Sequence, residues 1–148
     1  LGAMNENHIR ALRSGLLLVE RRLHQIRDYL ESDGSGSILY SIRSDIDPRA
    51  RSRIMSVIAS MLDEIGRIKE EFGLGAEEES LKRDVYAALA EVWVNLEELM
   101  PERMEAYGRM EEGDGRVLKS HILKLLKMQD EILGILDGVD PSRRTDGP

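Results

Sequence analysis

Apolar positions recur three and four residues apart along four stretches of the chain, and that spacing follows the 3.6-residue helical repeat. Between Glu6 and Glu31 the series is Ile9, Leu12, Leu16, Val19, Leu23, Ile26 and Leu30, which predicts a first helix with one packing seam. Asn5 or Asn7 suits its N-cap and Gly34 lies just past its end. Beside the seam runs a second stripe, Ala11, Gly15 and Leu18, whose small residues would let a neighbouring backbone approach. The second series is Ile54, Ile58, Met61, Ile65, Ile68 and Phe72. Asp47 is its cap, Pro48 its first residue, where the missing N–H costs nothing, and Gly73 its terminator.

The third stretch, from about Glu77 to Met100, is apolar almost all round. Between Val85 and Leu96 only Glu91 and Asn95 are strongly polar. One seam comprises Leu81, Val85, Ala88, Val92 and Leu99, and the other Tyr86, Leu89, Trp93, Leu96 and Met100. Such a helix is expected to bury more than one side, at the centre of a bundle or against a second subunit. Glu91 fits a shielded carboxylate or a single solvent-facing line. Asn95 falls on a seam, where a polar group fixes register or oligomeric state.

Pro101 ends or kinks this helix, with a helical extension to Gly108. A fourth helix is expected from a cap at Asp114 to about Asp137. Its seam is Leu118, Leu125, Met128, Ile132, Ile135 and Val139, flanked by Ile122, Leu126 and Leu136. The connection 32–47 is long for a compact domain, and Ile38, Leu39, Ile42 and Ile46 predict a short helical segment within it. The architecture expected is therefore all-α: a mostly antiparallel four-helix bundle with a short extra segment between helices 1 and 2 and a proline-kinked extension after helix 3. It would form one domain over residues 5–137. Residues 1–4, LGAM, read as an expression-tag remnant and 138–148 as a disordered tail.

Composition agrees: Leu, Ile, Val and Phe make up 40 of 148 residues, enough for a core, while Thr and Phe occur once each. There is no cysteine, which removes disulfides, thiolate metal sites and cysteine nucleophiles, and no run approaches membrane-span length. A soluble cytoplasmic protein is the expectation. Net charge is −7, and residues 76–115 alone carry −8, from 12 acids against four bases. That balance argues against general nucleic-acid binding, which needs Lys and Arg to neutralise phosphate. It also suggests that Arg49, Arg51 and Arg53, at the helix 2 end where the dipole disfavours them, pair with Glu97 and Glu98. Glu70, Glu71, Glu77, Glu78 and Glu79 gather near the turn GLGA, without the spacing of an oxygen-ligand loop.

The stretch RVLKSH, residues 116–121, holds the one candidate catalytic pair. It resembles the Arg-x4-His element of HEPN-type ribonucleases, helical domains of similar size that usually dimerise to form the site. The resemblance covers these six residues and the helical character. It implies that Arg116 stabilises phosphate charge and His121 handles the proton of a ribose hydroxyl. On a regular helix, however, five residues turn the two about 140° apart, so convergence needs an irregular first turn. His121 also falls on the expected seam. No Glu stands three before a His, as a di-iron bundle would need, and no phosphate loop or nucleophile elbow occurs. His8 and His24 read as surface or boundary residues.

These patterns favour a non-enzymatic protein–protein interaction module with no metal or cofactor. It would be homodimeric through Tyr86, Leu89, Trp93, Leu96 and Met100 on helix 3, through Ala11, Gly15 and Leu18 on helix 1, or both. The alternatives are the ribonuclease and a binder of small apolar ligands between helices.

Overall fold

A computed structural model describes residues 4–138. Among them every regular element is helical: α1 (Glu6–Glu31), α2 (Pro48–Glu71), α3 (Leu81–Glu98), the single turn α4 (Pro101–Met104) running into a 3₁₀ turn (Glu105–Tyr107), and α5 (Glu112–Leu136). Residues 1–3, part of the stretch read as a tag remnant, and the expected seam position Val139 with the residues after it, lie outside the described residues. The chain divides into two compact units, Leu1–Glu77 and Glu78–Pro148.

In the first unit α1 and α2 form an antiparallel hairpin. Asn5 caps α1 reciprocally: its Oδ1 accepts from the His8 N–H at 2.9 Å, and its own N–H donates to His8 Nδ1 at 3.2 Å. His8 thus belongs to the cap. Asp47 Oδ1 accepts from the Arg49 N–H at 3.2 Å, and Pro48 opens α2. Leu23, Leu30 and Ile58 make the buried core, with Met55, Leu62 and Ile65 packed against them. At the far end Gly73 takes φ +62° and the Leu74 N–H reaches back to the Lys69 carbonyl at 2.8 Å. That closure buries Leu74, a residue the sequence pattern left in a turn.

The expected helical segment at 37–46 is not formed. Residues 32–47 are turns and irregular chain, with Ile38 and Leu39 more than nine-tenths exposed. The reason is local. Ser32 and Asp33 side chains take the N–H groups of Gly34 and Ser35, Ser37 bonds the Gly34 carbonyl, and Gly34 and Gly36 adopt positive φ. Those bonds compete with a helix nucleus, and a segment this short cannot repay nucleation by itself.

In the second unit α3 packs antiparallel to α5, with α4 bridging their shared end. The helix starts at Leu81 instead of Glu77, because Ser80 Oγ accepts from the Arg83 N–H at 3.2 Å and so sets the N-cap. It ends at Glu98, and Pro101 then serves as the first residue of α4. The Asp114 cap is also corrected: α5 begins at Glu112 after Glu111, and Asp114 lies inside the first turn, where its charge suits the helix dipole.

The pairing of α3 with α5 selects one line on each helix. On α5 the inner line is Leu118, Ile122, Leu126, Gln129, Leu133 and Leu136. The expected seam residues Leu125, Met128, Ile132 and Ile135 are instead 44–64% exposed. On α3 no residue is fully buried. Within its unit α3 has one long partner, and α5 shields one side of it.

Candidate functional site

The start of α5 fixes where the RVLKSH pair lies within one chain. Arg116 is the fifth residue of a regular helix, so the irregular turn that convergence required does not exist. Arg116 and His121 are both exposed, about 140° apart around the axis. Within one chain, therefore, the two side chains do not converge on one point.

Of the proposed contact residues, Tyr86, Leu89 and Leu96 are half-buried on the α3 face turned to α5, and Met100 is half-buried beyond the end of α3, just before α4. The Tyr86 hydroxyl donates to the Asp137 carboxylate, and the Leu89 carbonyl accepts from Gln129 Nε2 at 2.8 Å. Trp93, at 49% exposed, lies at the edge of that face. Ala11, Gly15 and Leu18 are exposed on α1, and a Cβ added at Gly15 would meet nothing within 4 Å. Glu91 and Asn95 are exposed on the side of α3 turned away from α5, where with Ala90 and Val94 they line a shallow surface depression.

A broader apolar surface comes from lines lying beside the inner ones. Turning 100° per residue, Leu81, Val92 and Leu99 stand roughly a quarter-turn from the inner line of α3. Leu125, Met128, Ile132 and Ile135 stand a comparable turn from the inner line of α5, in the same rotational sense. In an antiparallel pair equal rotations of this kind bring both lines to one face of the hairpin. All seven side chains are at least 42% exposed. His121 sits among them, an imidazole on an apolar surface.

Gln129 escaped the sequence reading, although its position three after Leu126 and four before Leu133 marks it as polar on the inner line. It is 5% exposed, and its Oε1 finds no donor among the described residues. At the shared end of α4 and α5, Lys119 Nζ lies 3.5 Å from Glu102 Oε1. A backbone hydrogen bond at the α4 N-terminus, and secondarily the Lys119 charge, hold the Glu102 carboxyl below its ordinary value.

Arg51, one of the three arginines at the start of α2, bonds Ser44 Oγ at 3.1 Å within its own unit. Among the described residues no group of three His, Asp or Glu side chains is placed to hold a metal ion. Nor is any helix among them long and apolar enough to cross a membrane. No protein-family model, curated protein or solved structure shows significant similarity to the chain.

Proposed function

We propose that the protein is a non-enzymatic, all-helical interaction module that self-associates as a homodimer. The observation carrying this reading is the apolar face of the α3–α5 hairpin, where Val92, Leu99, Leu125, Met128, Ile132 and Ile135 all stand 42–64% exposed. Exposed apolar side chains gathered on one face of a hairpin are characteristic of interaction sites. In the alternative, a four-helix bundle built from α1, α2, α3 and α5, the core would take up this same apolar surface and the dimer contact would lie elsewhere. The exposed stripe Ala11, Gly15 and Leu18 is the second candidate contact.

Light scattering after size exclusion, over a range of concentrations, tests the proposal. A dimer is expected, and Met128→Glu with Ile132→Glu should reduce it to a monomer of 16.8 kDa that keeps its helical circular dichroism. A wild-type chain that stays monomeric throughout would overturn the reading.

A further inference from the structure

The connection between α1 and α2 carries the most exposed large apolar side chains among the described residues, and the association reading does not use them. Ile38 is 93%, Leu39 95% and Tyr40 67% exposed. Both ends of the connection are held. Ser32 Oγ and Asp33 Oδ1 accept from the Gly34 and Ser35 N–H groups, Ile42 lies against Gly34, and Arg51 Nη2 donates to Ser44 Oγ at 3.1 Å. Between these anchors the backbone of residues 38–42 makes no hydrogen bond to any described residue. The result is an apolar tip on a fixed base, with its N–H and C=O groups open to a partner.

An endopeptidase needs these features together. It draws its substrate out as a strand and bonds the backbone N–H and C=O groups, while the side chain before the cut enters a specificity pocket; a hydrophobic slot there takes large apolar residues. Helical peptide bonds cannot comply without unfolding, because their N–H and C=O groups already pair within the helix. Leu18, Tyr29, Trp93 and Leu125 are exposed but lie inside helices. Tyr107 is the internal comparator: it is 87% exposed, yet it ends a 3₁₀ turn that the Gly108 N–H closes on the Glu105 carbonyl at 3.1 Å.

We propose that this tip is an endoproteolytic processing site, cut on the carboxyl side of Leu39 or Tyr40 by an endopeptidase whose specificity pocket takes large apolar side chains. Water is the co-reactant. Its hydroxyl adds to the carbonyl carbon of the residue before the cut, the C–N bond breaks, and its remaining hydrogen goes to the nitrogen of the residue after the cut. The chain is thereby divided between α1 and α2, two helices whose shared core is Leu23, Leu30 and Ile58. Exposed loop tips are where such cleavage concentrates, since no packed structure has to open first.

Chymotrypsin, whose specificity pocket is of this class, is added to the full chain at a low ratio, and the products are followed by mass spectrometry. A fragment ending at Leu39 or Tyr40 is expected before any other cut between Asn5 and Gly138. Leu39→Asn with Tyr40→Asn, checked for unchanged helical circular dichroism, should slow this first cut at least tenfold. Gly73→Ala, which strains the same unit at φ +62°, separates cleavage of the folded chain from cleavage through unfolding. It should leave the rate within about threefold, whereas cleavage that waits on unfolding would quicken about tenfold. A first cut after Tyr107 or inside a helix overturns the proposal, as does resistance of the wild-type chain. So does a first-cut rate that rises with Gly73→Ala or is unmoved by the double Asn variant.

Discussion

Replacing Gln129 by Met should stabilise the α3–α5 unit, although it removes a hydrogen bond. Gln129 is 5% exposed; its Nε2 donates to the Leu89 carbonyl at 2.8 Å while its Oε1 is buried without a donor. The bond is worth about 0.5–1.5 kcal/mol net, whereas a stranded buried acceptor costs about 1–3 kcal/mol. Methionine keeps the length and flexibility of the side chain and removes both polar ends. Leu89 lies inside α3, so its carbonyl keeps its intrahelical bond. The balance is a gain of about 1 kcal/mol, or about 4–8 °C in melting temperature for a unit of this size. Gln129→Ala should instead lose about 2 kcal/mol, because truncation leaves a cavity between the helices. Urea unfolding followed by the fluorescence of Trp93, the only tryptophan and itself on α3, reads this unit selectively. Destabilisation by Gln129→Met of 1 kcal/mol or more would refute the reasoning and show that the buried amide is a net stabiliser.

Three further outcomes follow from the same structure. Gly73→Ala should cost about 1–2 kcal/mol, since φ +62° is unfavourable for any Cβ, with urea unfolding of the helical signal as the measurement. Gly15→Ala, inside α1 with open space around it, should add about 0.5–1 kcal/mol of stability; a lowered dimer fraction in the same variant would place the small-residue stripe in the contact. His121→Ala should leave RNA incubated with the protein in the same state as wild type does, because Arg116 and His121 diverge; cleavage by wild type that the variant loses would contradict this.

Helices and their caps were legible because they depend on neighbours in sequence. The three-four alternation located α1 and α2, the cap residues placed their starts, and Asn5, Asp47 with Pro48, and Gly73 act as their residue types dictate. Pro101 separates α3 from α4 for the same reason. Local chemistry also explains two misplacements. Ser80 caps α3 and so starts it at Leu81, four residues after the expected Glu77, and the Ser32, Asp33 and glycine turns displaced the helical reading of 37–46.

Periodicity alone did not decide which apolar line faces a partner. On α5 two adjacent lines qualify, and contact with α3 chose Ile122, Leu126, Gln129 and Leu133 over Leu125, Met128 and Ile132. The polar Gln129 made the chosen line look the weaker one. The same dependence governs the candidate sites. Sequence spacing put Arg116 five residues before His121, but the regular helical start at Glu112 turned them apart. The hollow between α1 and α2 lined by Arg13, Leu17, Ile65, Lys69 and Leu74 was not legible either, because these residues meet only when α2 folds back along α1 and the chain turns at Gly73. The sequence by itself determined the helices, their ends and their charge, through interactions spanning a few residues. Only the tertiary structure decided which faces are shielded and which remain exposed, because burial depends on residues distant in the chain.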